Sequence, residues 1–395
     1  MSEESITEVR QAFELALPEL GDHPLWRVVC ARVRSLSLDI GCPSASTDPL
    51  DCITNIRIHL NARASQNGEA AAPRRTQGSD RKTHADYTIV WICPLEVEQI
   101  AALEMLDVQH GRLPQPGTDQ NVYALGEISG HNVVIAGLPE AGNCPAAAVI
   151  AQARGTFPNL RFSLLVGIGG GVPVTTDNGM VRLGDIVVSK PAGQHSGVVQ
   201  YDHGRAQEGF FQRTGALAAP PGLLLGAAKS LAASRARSRA DPLVRNIRKI
   251  DTTVPGLRKY RHPGLAQDHL YQPDCIHGEI GRSCVRCGCD PAQRVPRDTE
   301  QDDEPRVVVH RGTIASGELV MRSGRLRDQL AQQYDVLCFQ TEAAGVLTNF
   351  PCMVIRGISD YSDSHKNDEW QGYAAAAAAA YARELFLHIP INEGH

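Results

Sequence analysis

Three carboxylates follow apolar, strand-like runs in this 395-residue chain, at positions where they could do acid–base chemistry. Asp360 ends the run VIRGISD, Glu98 follows the run YTIVWIC, and Glu342 follows the run DVLCF. Ligands of open α/β sheets bind at the carboxyl ends of strands, where an acid can donate or accept a proton. The alternative is structural, because Asp is a common helix N-cap and acidic residues favour helix N-termini.

A glycine run, Gly167-Ile168-Gly169-Gly170-Gly171, follows the apolar strand RFSLLV. Glycines allow a ligand to approach the backbone and leave N–H groups to bind anions or hydroxyls. The run does not match G-x-G-x-x-G, and no helical pattern follows it at once, so a dinucleotide-binding fingerprint is not indicated. A tight turn at the strand end is the alternative interpretation.

Two other polar clusters could form sites. The segment after the strand DIVVS could line a pocket or only solvate a loop, and its pattern favours a loop with one or two pocket contacts; its polar residues are His195, Tyr201, Asp202, His203 and Arg205. Further along, a C-x-x-C pair preceded by His could form a structural zinc site, with unmetallated, reduced cysteines as the alternative. That cluster comprises Cys275, His277, Cys284, Cys287 and Cys289.

Composition excludes several classes of protein. The net charge of -5 gives no sign of a nucleic-acid or anionic-membrane surface. No apolar run approaches the ~20 residues of a membrane helix, and the first residues, MSEESITEVR, do not resemble a secretory signal. The 11 cysteines are scattered and odd in number, which favours free thiols in a reducing compartment. We therefore expect a cytoplasmic protein that binds neither nucleic acid nor membranes.

The hydrophobic pattern divides the chain into three parts. Residues 1–65 are predicted to form a small helical module, and residues 66–85 a flexible polar linker. From Tyr87 strands alternate with helices, which predicts an α/β domain over residues 86–390 with a mixed central sheet flanked by helices. A stretch poor in strand signals, at about 212–305, is predicted to be a long insertion in this domain.

Several motifs occur in an order that is specific to one family. PLEVE follows the first strand, and LLVGIGGGVP, RLGDIVVS, HRGTIASG, the turn at Glu342 and VIRGISDYSD come after it. Together they resemble the purine and uridine phosphorylase and nucleosidase superfamily over about residues 87–388. VVQYDHG, GTIASG and SDSHKNDEWQGY resemble its fungal branch, which is associated with NOD-like receptor architectures.

The resemblance implies a nucleoside phosphorylase-like fold and cleavage of the N-glycosidic bond of a nucleoside, without a cofactor. By motif position, Asp360 matches the residue that serves the purine N7, Glu98 the glutamate that activates water in nucleosidases, and Glu342 the residue that binds the ribose hydroxyls. The implied substrate contacts also include Ile168, Gly169, Gly170, Val320, Met321, Thr341 and Ser359. The superfamily further implies a homo-oligomer.

Two departures from the family pattern bear on the reaction. Phosphorylases carry a phosphate-binding arginine near the start of the first helix, where this chain has Glu96, and a carboxylate repels phosphate. This favours hydrolysis by water. Thr341 stands where the family usually has a methionine that packs on the sugar, which predicts a looser or wetter ribose side.

Three functions follow as hypotheses. The first is hydrolysis of a purine nucleoside or nucleotide to free base and ribose or ribose phosphate. The second is a phosphate-dependent phosphorylase in which an insertion arginine, such as Arg205 or Arg213, binds phosphate. The third is a nucleoside-sensing module with weak or no catalysis, in which residues 1–65 bind a protein partner.

Overall fold

The computed structural model describes residues 82–279, 284–296 and 307–391. The predicted helical module at residues 1–65 lies outside the described residues, and so does all of the predicted linker except residues 82–85. Within the described part of the chain, no helix is both long enough and apolar enough to cross a membrane.

The described residues form an α/β fold, as the sequence predicts. The strands are β1 Ile89–Cys93, β2 Val108–His110, β3 Tyr123–Ile128, β4 His131–Gly137, β5 Phe162–Gly171, β6 Thr175–Thr176, β7 Gly179–Met180, β8 Ile186–Ser189, β9 Val198–Gln200, β10 Gly204–Gln207, β11 Phe210–Arg213, β12 Val309–Ser316, β13 Val336–Gln340 and β14 Cys352–Asp360. The α-helices are α1 Glu96–Leu103, α2 Asn143–Thr156, α3 Gly222–Arg237, α4 Pro242–Ile247, α5 Cys284–Cys287, α6 Gly324–Tyr334, α7 Ala343–Asn349 and α8 Gln371–Phe386.

The central sheet is mixed, which confirms the predicted fold class. Its strand order is β13-β12-β8-β14-β5-β1-β4-β3-β2, and β9 pairs with β12. β4, β1, β5 and β14 are parallel neighbours, whereas β8 runs antiparallel to β14. Strands β1, β5 and β14 are buried along their whole length, as expected for parallel strands covered on both faces.

One end of the sheet closes on itself. β13 pairs with β12 in parallel and also with β5 antiparallel, where Phe339 lies opposite Gly170. On the other side of β5, Asp360 of β14 also lies opposite Gly170, after a register shift in β14. The carboxyl ends of β5, β13 and β14 therefore converge at this glycine.

The long C-terminal helix lies directly against the sheet. Its alanine run, residues 374–380, is almost completely buried. A Cβ atom on Gly357 of β14 would lie only 1.9 Å from the carbonyl oxygen of Ala374, so the helix backbone touches the strand. The small side chains thus permit a close approach that larger residues would prevent, a role that composition alone did not suggest.

The predicted insertion is described at residues 212–279 and 284–296. It begins at the end of the exposed hairpin β10–β11 and contains α3, α4 and the short helix α5. Leu224 and Leu243 of this region are buried in the same apolar cluster as β1 and α8. The first half of the insertion is therefore part of the core of the domain.

Candidate active site

A cleft of ≈ 210 Å³ opens where the carboxyl ends of β1, β5, β13 and β14 meet. All ten residues that the sequence analysis selected line it: Glu98, Ile168, Gly169, Gly170, Val320, Met321, Thr341, Glu342, Ser359 and Asp360. The structure thus brings together side chains that are up to 262 positions apart in the chain (360 minus 98). Their individual roles stay predictions.

Two backbone amides donate hydrogen bonds to Glu98 in the cleft and fix its carboxylate. It lies in the first turn of α1 and is only 3% exposed. Its Oε2 accepts a hydrogen bond from the Leu95 amide (2.6 Å), and its Oε1 accepts one from the Ile168 amide (2.7 Å). Burial raises the pKa of Glu98 to about 7, against the lowering effects of nearby Arg356 and of the Ile168 amide. A carboxylate with this pKa can accept a proton near neutral pH.

The glycine run leaves room for the carboxylates. It continues β5 instead of forming the turn that the sequence allowed. A Cβ atom on Gly167 would lie 2.2 Å from Oε1 of Glu98, and one on Gly170 would lie 2.1 Å from the Ser362 hydroxyl and 2.7 Å from Oδ1 of Asp360. Side chains at these two positions would displace the acidic groups, so the absence of a Cβ shapes the cleft.

Glu342 is paired with a buried arginine. Arg356, in the middle of β14, donates from NH2 to Oε2 of Glu342 (2.9 Å) and to Oε1 of Gln340 (3.1 Å). Its NH1 donates to the carbonyl oxygen of Ile168 (3.0 Å). Both members of the ion pair are nearly inaccessible, with side-chain exposures of 1% and 4%. Arg356 therefore fixes Glu342 while its positive charge also reaches Glu98.

Thr341 contacts Glu342 through its hydroxyl group, which donates to Oε1 of that carboxylate. The Oε1 of Gln340 in turn accepts hydrogen bonds from the amides of Glu342 (2.7 Å) and Ala343 (2.9 Å). The turn after β13 is therefore fixed by polar contacts. Thr341 lacks the packing surface of a methionine, but its hydroxyl group donates a hydrogen bond to the Glu342 carboxylate.

Asp360, at the end of β14, lines the same cleft as Glu98 and Glu342. Its Oδ1 accepts a hydrogen bond from the Ser362 amide (2.9 Å), and its Oδ2 accepts one from the Ser359 hydroxyl (2.9 Å). Lys366 forms an ion pair with Oδ2 at 2.5 Å. No α-helix begins at Asp360, because the next described one starts at Gln371. The helix-cap interpretation of Asp360 is therefore wrong.

Two cationic residues of the cleft were not selected from the sequence. Arg356 had a signal, because a charge within an apolar parallel strand must find a buried partner. Lys366 had none: it reaches Asp360 only because the loop after β14 turns back over the strand end. The described lining also includes Pro94, Leu95, Ala141, Leu319, Phe339, Gln340, Ser362 and Gln371.

The polar residues of the segment after β8 are absent from the described lining of this cleft, so the predicted pocket contacts are not made here. Tyr201 donates from its hydroxyl to the carbonyl oxygen of Leu319 (3.0 Å), and Asp202 accepts from the Glu318 amide (2.6 Å). Both contacts hold the loop that carries Val320. Arg205 lies on the exposed strand β10, and Arg213 donates to the Gly215 carbonyl oxygen.

Replacing Arg356 tests the buried ion pair. We expect Arg356→Met to lower the free energy of unfolding by about 3–5 kcal/mol, because Glu342 would be left as an unpaired buried charge. Urea-induced unfolding would measure this loss. Arg161→Met, at an exposed position, should change stability by no more than about 0.5 kcal/mol. Adding Glu342→Gln to Arg356→Met should restore part of the stability; strictly additive losses would contradict the pairing.

The sequence relatives of this chain include an NLR-like protein and an ATP nucleosidase. The chain is 43% identical over 305 residues to a nucleotide-binding leucine-rich repeat (NLR)-like protein of Hyaloscypha variabilis; the match covers 77% of this chain and 29% of that protein. It is 35% identical over 88 residues to the ATP nucleosidase Cap17 of Escherichia coli, covering 21% of this chain and 17% of that protein. No family model matches the chain.

Solved structures that align with the chain include two enzymes, each with a TM-score below 0.5. A futalosine hydrolase of Helicobacter pylori aligns with a TM-score of 0.49 and 16% identity, covering 77% of this chain and 99% of its own. A 5'-methylthioadenosine/S-adenosylhomocysteine nucleosidase of Neisseria meningitidis aligns with a TM-score of 0.48 and 18% identity, covering 76% and 98%.

The two sequence relatives confirm both parts of the predicted resemblance, because one is named NLR-like and the other is named a nucleosidase. The chain therefore resembles the nucleoside phosphorylase and nucleosidase superfamily and an NLR-like protein. It spans less than a third of the length of either relative.

Proposed function

We propose that this chain hydrolyses the N-glycosidic bond of a purine nucleoside or nucleotide. The observation that carries the proposal is the arrangement of Glu98 and Asp360 in one cleft, which Glu342 also lines. A base with a pKa near 7 and a separately hydrogen-bonded acid are the two groups that hydrolysis of a glycosidic bond requires.

Glu98 serves as the general base. Its two oxygens are fixed by amide donors, and the neighbouring lining offers space for a water molecule next to the sugar. The water oxygen forms a bond to the anomeric carbon and loses a proton to Glu98. Glu342, whose carboxylate is fixed by Arg356, accepts hydrogen bonds from the ribose 2' and 3' hydroxyls.

Asp360 and Lys366 act on the leaving base. As the bond between the anomeric carbon and the purine nitrogen breaks, its electron pair moves into the purine ring. The proton held by the Asp360–Lys366 pair passes to N7, and the base leaves neutral. A proton from Glu98 returns through solvent to that pair, so the protein is regenerated. The bulky apolar side chains Phe339 and Met321 line the same cleft and can contact the base.

The charges of the cleft favour water over phosphate as the nucleophile. Among the described lining residues the cationic side chains are Arg356 and Lys366, and each is already paired with a carboxylate. Arg205 and Arg213, the alternative phosphate ligands, are absent from that lining. A phosphate entering the cleft would meet Glu98 and Glu342, which repel it.

A substrate panel tests the proposed function. The panel comprises adenosine, inosine, AMP and ATP, and ATP is included because one relative is named an ATP nucleosidase. We expect free purine to be released in phosphate-free buffer, with no increase when phosphate is added. Release of base only in the presence of phosphate, with formation of ribose 1-phosphate, would establish the phosphorylase alternative.

A sensing function is the second candidate, and the NLR-like name of one relative favours it. In that case the cleft binds a nucleoside without turnover, and residues 1–65 bind a protein partner. Calorimetry would distinguish the two candidates. Tight binding of adenosine or ATP, with no base released over hours, would support sensing and contradict hydrolysis.

Lys366→Met is expected to lower kcat by about 10–100-fold, because a charge-assisted hydrogen bond near the leaving base contributes about 1.5–3 kcal/mol. KM should change little, since the charge acts mainly as the base departs. Lys366→Arg should recover most of the rate. Steady-state kinetics on the best substrate of the panel would measure both variants, and equal losses for Met and Arg would contradict the electrostatic role.

A further inference from the structure

A cluster of metal-ligand side chains lies in the insertion, outside the residues that line the cleft. The ligand atoms of His277, Cys284 and Cys289 all lie within 4.8 Å of one another. Cys284 and Cys287 stand at the two ends of α5. Gly288 then turns the chain with φ +68, and the Cys289 amide donates to the Cys284 carbonyl oxygen (3.0 Å). The C-x-x-C-G-C segment is thus folded back on itself.

The spacing of these atoms is close to that of a tetrahedral zinc site. Zn–S bonds of ≈ 2.3 Å and Zn–N bonds of ≈ 2.0–2.1 Å place neighbouring ligand atoms about 3.5–3.8 Å apart. If the distances between the ligand atoms shortened by roughly 1 Å, the three side chains would therefore enclose a zinc ion. Half-buried side chains such as these can make that adjustment by rotamer changes.

One ring nitrogen of the cluster points to a cation ligand. The Nδ1 atom of His277 is buried and has no hydrogen-bond partner among the described residues. This nitrogen and the sulfur atoms of Cys284 and Cys289 are ligand types that zinc prefers, and a bound divalent cation would satisfy the unpartnered nitrogen.

The cluster is attached to the loop that carries Lys366. The His277 amide donates to the hydroxyl of Ser364 (2.9 Å), and the thiol of Cys275 lies 3.7 Å from Nε2 of His365. The His365 ring also stacks on Tyr271, with centroids 3.9 Å apart. An ion at this position would fix the insertion against the segment that follows Asp360.

We propose that His277, Cys284 and Cys289 bind a structural Zn²⁺ ion, with the fourth ligand supplied by Cys275 or Cys287. Thiolates with one imidazole select zinc over magnesium, calcium or manganese, which prefer oxygen ligands. A site with four protein ligands has no open position for water, so the ion holds the insertion in place and takes no part in bond cleavage.

Metal analysis of the full chain tests the site. We expect one zinc ion per chain, by mass spectrometry of the metal content, after purification with zinc and dialysis against metal-free buffer. Cobalt added to the chelated protein should give the strong visible absorption of a tetrahedral thiolate complex. Metal content and cobalt spectra do not depend on turnover, so these results stand apart from the proposed hydrolysis.

Single substitutions assign the ligands. Cys284→Ser, Cys289→Ser and His277→Ala should each weaken zinc binding by at least about 10-fold in competition with a chelator. Cys144→Ser is the matched control, because it removes an exposed thiol elsewhere in the chain and should retain the full zinc content. Whichever of Cys275→Ser and Cys287→Ser weakens binding identifies the fourth ligand.

Two results would overturn the proposal. The first is a wild-type chain that retains no zinc and gives no thiolate absorption with cobalt. The second is a disulfide between Cys284 and Cys289, seen as two fewer reactive thiols in the unfolded, unreduced protein. The cobalt titration of the wild-type chain decides the question even where a variant fails to fold.

Discussion

Glu98→Gln is expected to lower kcat/KM for purine nucleoside cleavage by about 10²–10⁴-fold, the range of a lost general base. Gln cannot take a proton from water, yet it is nearly the same size as the glutamate that contacts the Ile168 and Leu95 amides. Initial rates of base release at saturating and subsaturating substrate would measure the loss. A variant rate within threefold of the wild type would remove Glu98 from the reaction.

The control for this substitution is Glu96→Gln. Glu96 lies in the same first turn of α1 but is exposed, and it is absent from the described lining of the cleft. The substitution Glu96→Gln removes a carboxylate from the same end of α1 as Glu98→Gln does. A general electrostatic effect would therefore appear in both variants. We expect Glu96→Gln to retain the wild-type rate and Glu98→Gln to lose it.

The pH dependence follows from the same carboxylate. Burial raises the pKa of Glu98 to about 7, and the base acts in its ionised form. The rate should therefore be full above this pKa and should fall about 10-fold per pH unit below it. A profile of kcat/KM against pH would show the acidic limb in the wild type, and Glu98→Gln should lack it.

Asp360→Asn is the second substitution with a large expected effect, again about 10²–10⁴-fold in kcat. The amide is nearly isosteric and still accepts from the Ser362 amide, but it cannot pass a proton to N7 and loses the ion pair with Lys366. The purine would then leave with its negative charge poorly stabilised. Rates with adenosine or inosine would measure the loss.

A substrate with a better leaving group separates the two roles. 4-Nitrophenyl riboside releases a stable phenolate and needs no protonation at N7. Asp360→Asn should therefore cleave it at nearly the wild-type rate, whereas Glu98→Gln should remain slow. Asp177→Asn, at an exposed turn between β6 and β7, should behave as wild type with both substrates. Equal losses on both substrates for Asp360→Asn would contradict its role as the acid.

Much of the cleft could be predicted because its residues stand next to strand ends. Glu98, Gly170 and Asp360 follow or end apolar runs, and parallel strands bring their carboxyl ends to one edge. The order of the motifs then indicated a nucleoside as the ligand, through the resemblance to the nucleosidase superfamily. The glycine run was also recognised, although a turn was an equal interpretation until β5 was seen to continue through it.

Other features depended on contacts that no local pattern encodes. The pairing of β13 with both β12 and β5 closes the sheet and carries Glu342 to the cleft. The polar segment around Tyr201 instead holds the loop before Val320. Its residue types are also those of a binding pocket, but Tyr201 and Asp202 contact the backbone of residues 318–319 instead of the cleft.

The sequence by itself determined the alternation of strands and helices, the order of the motifs and the three carboxylates, because these depend on periodicity and on residue type. Only the tertiary structure decided how charges are paired: Arg356 with Glu342, and Lys366 with Asp360. It also decided that His277 meets two thiols seven and twelve positions further along (284 minus 277 and 289 minus 277). Burial, hydrogen bonding and charge pairing act between atoms close in space, and spacing along the chain does not specify those distances.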